Sequence, residues 1–231
     1  MSDTDENWVL VFAKSPRPGR VKTRLAGLLG PEGASRLYEA LLTDTVLAVA
    51  SVPGVRRVIA CDPPEDLDWF VSRFGDGFQL TSQGPGDFGQ RLHGCFEEAF
   101  AQGARRAVVV GSDLPTLNGS CIAGAFRLLH SHDLVLGPAD DGGYYLMGLA
   151  RMVPELFQDV DWSTDRVLDQ TLDRARRARL TFTRLDAECD VDDGLSLRKL
   201  VRNLTRRPES TAANTRRVLR ELDVTLILQE T

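Results

Sequence analysis

Side chains able to act on a phosphate or to hold a divalent cation concentrate in four short segments of this chain. The first, residues 12–25 (FAKSPRPGRVKTRL), carries Lys14, Arg17, Arg20, Lys22 and Arg24 and no acid. Gly19 permits a tight turn there, and Lys14, Lys22 and Arg24 offer the charge-assisted donors that an oligophosphate accepts. The alternative is a solvated basic loop. A P-loop is excluded, because G-x-x-x-x-G-K-[ST] requires glycine before the lysine and Val21 stands there.

The second segment, residues 108–115 (VVVGSDLP), delivers Asp113 at the end of an apolar run. Asp113 reads either as a helix cap for the stretch after Pro115 or as a ligand of Mg²⁺, which favours few carboxylates together with water and substrate phosphates. In the third, residues 136–146 (LGPADDGGYYL), Asp-Gly is a strong hairpin signal. Gly142 and Gly143 equally allow a substrate close to the backbone. Asp140 and Asp141 would then bind an acceptor hydroxyl or help hold a metal, with Tyr144 or Tyr145 lining the pocket. The fourth is the turn Asp190-Val-Asp-Asp-Gly194, where Asp192 or Asp193 also suits a helix cap.

Composition narrows the classes. The chain of 231 residues is 42% hydrophobic and 26% charged, and no apolar run approaches the roughly 20 residues of a membrane span. A net charge of −5 argues against general attraction to nucleic acid or acidic membranes, which makes the acid-free basic segment a local anion trap. The polar, acidic start over residues 1–7 does not read as a secretory signal, so a cytoplasmic location is expected. Cys61, Cys95, Cys121 and Cys189 lack C-x-x-C spacing and read as unrelated thiols, and His130 and His132 as a solvated pair.

The elements that must position these segments alternate. Residues 8–13 (WVLVFA) read as a buried strand, followed by the basic loop and a helix over 31–49 with proline at its start. Strands are expected over 55–61, 78–82, 107–111, 134–136, 144–149 and 181–185. Helices are expected over 65–74, 88–102, 120–129, from a cap at Ser163 or Thr164 through Ala175, and over 212–222. Such alternation predicts an α/β fold, a mostly parallel sheet with helices on both faces. One domain is expected across 1–231, its ordered core about 8–205 with the helix 212–222 beyond. Ligands of such sheets bind outside the carboxyl ends of the strands, where the four segments lie.

The stretches FAKSPRPGRVKTRLA, GDFGQRL, VVVGSDLP, VLGPADDGGYYLMGL, DWSTDRVL and DVDD, spread over nearly the whole chain, resemble the bacterial radical-SAM/selenodomain-associated glycosyltransferase family. That family lies within the nucleotide-diphospho-sugar transferase superfamily. More distantly, the arrangement is similar to that of nucleotidyltransferases. The resemblance implies a single-domain GT-A, Rossmann-like sheet with the nucleotide over its first half. It implies that Lys22 and Arg24 hold the transferred phosphates and that Gln83, with Gly86, Gly89 and Arg91 of the 86–91 loop, faces the base. It implies Asp113 and Asp192 as ligands of Mg²⁺ or Mn²⁺. Asp193-Gly194 departs from the usual pattern, where relatives have Thr-Pro or similar.

The partners expected are therefore a nucleotide or nucleotide-sugar and a small-molecule acceptor. Nucleotidyl transfer from an NTP to a phosphorylated or carboxylate acceptor is placed first, because a triphosphate needs more cations than a diphosphate ester and the basic loop supplies five. Glycosyl transfer from an NDP-sugar is the alternative, and a non-catalytic nucleotide-binding protein the third class.

Overall fold

The computed structural model describes residues 6–224; the expectation made for the N-terminus falls mostly on residues 1–5, outside the described residues. Strands β1 (Asn7–Lys14), β2 (Arg56–Asp62), β3 (Gln79–Ser82), β4 (Arg106–Gly111), β5 (Leu134–Pro138), β6 (Tyr144–Leu149) and β7 (Phe182–Arg184) form a seven-stranded sheet in the order β3-β2-β1-β4-β6-β5-β7. All pairings are parallel except those of β6, which runs antiparallel to both β4 and β5. The expected α/β fold is therefore present. The one reversed strand brings the start of β6 to the edge at which β1 and β4 end.

β1 is an unbroken apolar run because it is covered on both faces. Val9, Val11 and Ala13 point to one core, with Tyr38, Leu42 and Val46 of α1 (Ala26–Ala50), Phe70 of α2 (Leu67–Phe74) and Ile122 of α4 (Gly119–Leu128). Trp8, Leu10 and Phe12 point to the other, with Leu92 and Phe96 of α3 (Phe88–Ala101) and Leu172 and Ala175 of α5 (Val167–Arg177). A third cluster joins α1 to α6 (Gly194–Leu204) and α7 (Ala213–Glu221) through Leu37, Leu41, Leu197, Leu200 and Leu219. Asp44 of α1 accepts from the backbone amides of Asn214 and Thr215 at 3.1 and 2.8 Å, capping α7 from another helix. Helix α7 is thus packed into the body of the protein. Among the described residues, no helix is long and apolar enough to cross a membrane.

Two boundaries differ from expectation. Helical geometry begins at Ala26, breaks at Gly30 (φ 70°, ψ 161°), and restarts at Pro31, so the expected 31–49 helix is the long second piece of α1. Neither Ser163 nor Thr164 caps α5, which starts after Arg166 with no side-chain cap. The Thr164 hydroxyl instead donates to the Asp161 carbonyl at 2.7 Å, closing the preceding turn.

Candidate active site

A cleft of about 720 Å³ opens at the edge where β1 and β4 end and β6 begins. Its first wall is the basic segment. Lys22 adopts left-handed geometry (φ 46°) and leads into a 3-10 turn, Thr23–Leu25, whose Leu25 is fully buried in the third core cluster. Burial of Leu25 fixes the turn, and the turn aims the Lys22 side chain inward. The Lys22 side chain is 5% exposed, and its ammonium lies 3.0 Å from Asp113 Oδ1 and 2.7 Å from Asp192 Oδ1. Burial alone pulls the pKa of this amine down. The two carboxylates outweigh it and hold it above the ordinary lysine value.

Asp113 is available to the cleft because it does not cap α4. Asn118 does that, its side chain accepting from the Cys121 amide at 2.8 Å. The Asp113 carbonyl accepts from the Val191 amide at 3.1 Å, and Val191 is fully buried, so the 190–194 turn is pinned to the end of β4. Asp190 and Asp192 flank that buried valine and line the cleft. Asp193 turns the other way into a capping box with Ser196, accepting from its amide at 2.8 Å.

The 139–143 loop is indeed the turn of an antiparallel hairpin, and it also reaches the site. Asp141 accepts from the Gly143 amide at 2.8 Å and offers a carboxylate oxygen alongside Asp190 and Asp192. Ligand atoms of these three carboxylates lie within 4.8 Å of one another, a set of hard oxygen donors that fits a divalent cation. Burial first, and then repulsion from Asp141, Asp192 and Asp113, pushes the Asp190 carboxyl up to about 7. Such crowding is what a bound cation relieves. Tyr38 ties the two sides together: its hydroxyl accepts from the Lys14 amide at 2.8 Å and shares a 2.9 Å bond with Ser112 Oγ.

On the β2 side, Gln83 Nε2 donates to the carbonyls of Ala13 and Ala60 at 3.2 and 3.0 Å. Its Oε1 accepts from Arg91, which also pairs with Asp62 at 3.0 Å. Gln83 and Arg91 both line the cleft, but the glutamine amide is committed to bracing the ends of β1 and β2. The remaining wall is aromatic. Phe88 packs edge-on against Phe12 with ring centroids 6.1 Å apart, and tilted against Trp162 at 5.6 Å.

The structure therefore gathers Lys14, Lys22, Arg24, Gln83, Arg91, Asp113, Asp141, Gly143, Tyr144 and Asp192 around one cleft. It does not bring five other expected residues to the cleft wall. Asp140 faces α6, pairing with Lys199 at 2.9 Å. Gly142 (φ 87°) packs against the Asp165 backbone so closely that any Cβ would collide with it. Gly89 lies directly under the Trp162 indole, which leaves no room for a side chain. Gly19 and Gly86 sit in turns that lead to the cleft without lining it. The Tyr144 hydroxyl is buried toward Thr171, leaving the ring as its contribution. Sequence reasoning gave no role to Asp190 or Trp162. The signal for the first was the acid on the far side of a buried valine, and for the second a lone tryptophan beside Ser163-Thr164.

Comparison with known proteins places the fold and the family. Over 98% of both chains the structure matches that of a protein from Desulfovibrio desulfuricans G20 described as a nucleotide-diphospho-sugar transferase, with a TM-score of 0.87 and 31% identity. In sequence, 141 residues are 33% identical to the 3-phospho-D-glycerate guanylyltransferase of Phenylobacterium zucineum (strain HLK1), covering 58% of this chain and 62% of that relative's length. A cytidylyltransferase from Leptospira borgpetersenii shares the fold at a TM-score of 0.54 and 13% identity over 98% of both chains. Residues 45–164, which include strands β4 to β6, match the model of a family described as an uncharacterized protein conserved in bacteria (DUF2064), and the chain belongs to that family.

Proposed function

We propose that this protein is a nucleotidyltransferase, which transfers a nucleotidyl group from an NTP to a small phosphorylated or carboxylate acceptor with Mg²⁺ or Mn²⁺ bound. One observation carries this function: a cation from the first turn and carboxylates from two distant segments meet within 3.0 Å at one rim of the cleft. The named relatives are transferases, one of them a guanylyltransferase.

In this reaction an acceptor oxygen bonds to the α-phosphorus while the bond to the bridging oxygen breaks, and pyrophosphate leaves with the electron pair. Lys14, Arg20 and Arg24 also line the cleft wall and would bind the triphosphate. Lys22 is held rigidly by Asp113 and Asp192, so its charge stays in place without reorganisation as negative charge grows on the leaving group. Asp141, Asp190 and Asp192 would hold the metal, with Asp113 facing the same space across Lys22. When bound, the metal would supply neutralisation of the phosphate charge. Gly143 and the ring of Tyr144 would bound the acceptor side.

The test is incubation with Mg²⁺, each NTP in turn and a panel of phosphorylated and carboxylate acceptors. Pyrophosphate release is the expected result. The description of the Desulfovibrio relative favours glycosyl transfer as a second reading, and NDP-sugar hydrolysis without any pyrophosphate release would put that reading first. Placement in the radical-SAM/selenodomain-associated branch, on GPADDGGYYL and DWSTDRVL, and a cytoplasmic location belong to the same proposal.

A further inference from the structure

The cleft has a second character beside its charged rim. On the sheet face that carries α3, its floor is made by Phe12 of β1, Val109 of β4 and Met147 of β6, and Phe88 and Trp162 stand over it. These residues are apolar, and Phe88 is 38% exposed although it is a large hydrophobic side chain at the first position of α3. Neither aromatic ring is a loose surface group. Phe88 is fixed by Phe12 on one side and Trp162 on the other, and Trp162 is seated on Gly89, whose lack of a side chain makes the seat possible. The Trp162 loop also reaches the hairpin, because the Asp165 backbone packs on Gly142, adjacent to the acidic group.

This inference rests on the nucleotidyl reading above, with the nucleotide over the first half of the sheet as the family resemblance implies. Tyr144 and Met147 lie on β6, and Trp162, seated on Gly89 of α3, belongs to a loop that packs through Asp165 on Gly142 of the hairpin, beside the carboxylates that would face the reacting phosphorus. We infer that Phe88 and Trp162 form an acceptor subsite that takes an apolar, planar group, so that the preferred acceptor is an anion joined to an aromatic or similarly flat apolar tail. A purely polar acceptor would leave the exposed faces of this pair wet, whereas a ring laid against them removes apolar surface from water and gains the offset contacts aromatic pairs favour. Phe88 and Trp162 act here on specificity, since neither carries a titratable group and the Trp162 indole nitrogen is turned onto Gly89.

The structure supplies its own reporter. Of the three tryptophans, Trp162 lines the cleft, whereas Trp8 is buried in the sheet and Trp69 lies on α2. Benzyl phosphate and glycerol 3-phosphate carry the same anion with and without a ring. Titrated into the protein without NTP, benzyl phosphate should change the tryptophan emission and bind at least about tenfold more tightly than glycerol 3-phosphate by calorimetry. Trp162→Leu and, separately, Phe88→Leu should each erase most of that preference and leave the binding of each NTP within about twofold. Where pyrophosphate release is observed, the same preference should appear in kcat/KM for the two acceptors and vanish in both variants.

Selective binding of benzyl phosphate without pyrophosphate release would remove the nucleotidyl function and keep the subsite. Equal binding of the two phosphates, or pyrophosphate release with no preference between them, would overturn the subsite and leave the function standing. If the leucine variants weaken an NTP in place of benzyl phosphate, the rings belong to the base and the acceptor assignment fails.

Discussion

The 139–143 hairpin loop and the 190–194 turn each carry two consecutive aspartates, and the two pairs divide their labour in the same way. In the hairpin, Asp141 faces the cleft while Asp140 pairs with Lys199 on the protein surface. In the turn, Asp192 reaches Lys22 while Asp193 caps α6. Asp193 is extended (φ −141°) at the start of α6, where successive side chains point to opposite sides, whereas Asp140 and Asp141 part within a turn; in both doublets one acid faces the ligand edge and its neighbour faces elsewhere. The difference between the loops lies in what holds them. Val191, fully buried and hydrogen-bonded to Asp113, locks the turn to β4, whereas the hairpin loop is held by Gly142 against the Asp165 backbone.

The largest effect that would sharpen this contrast is expected at the carboxylates of the rim. Asp192→Asn and Asp113→Asn keep the shape and remove a charge, so each should lower metal-dependent turnover at least about a hundredfold while the melting temperature stays within a few degrees. A near-normal rate in either variant, measured by pyrophosphate release, would take that aspartate out of the mechanism. Next in size is Lys22→Ala. Charge-assisted hydrogen bonds contribute about 1.5 to 3 kcal/mol, so nucleotide should bind roughly ten- to a hundredfold more weakly by calorimetry, and an unchanged affinity would contradict the role given to Lys22.

A smaller change, and of another kind, is expected at Asp193→Ala. Loss of the cap should cost about 1 kcal/mol of stability in urea unfolding with turnover retained. A variant that is stable but inactive would break the division of roles within the turn. The least change is expected at Asp140→Asn, which loses only an exposed ion pair. Its turnover and melting temperature should both match the parent, and a marked loss of turnover would return Asp140 to the acceptor site.

Much of the frame was legible from residue order. The buried run of β1, the strand and helix alternation and the acid-free basic loop follow from hydrophobic period and charge, which are local properties. So did the delivery of Asp113 to a strand end, because an apolar run that stops at an acid announces its own boundary. The reversed direction of β6 was legible only as one of two readings, the hairpin that Asp-Gly signals, since strand periodicity itself carries no sign. Not legible was the commitment of Gln83 to the carbonyls of Ala13 and Ala60, which depends on where β1 and β2 end relative to each other.

By itself, then, the sequence determined which segments would reach the ligand edge of the sheet and what charge each would bring there. Only the tertiary structure decided which member of each aspartate doublet serves the cleft, that Lys22 is clasped between Asp113 and Asp192, and that Trp162 lies over Gly89 to face Phe88. The physical reason is that side-chain direction and contact follow from burial of distant anchors such as Leu25 and Val191, and that packing joins residues which spacing along the chain leaves far apart.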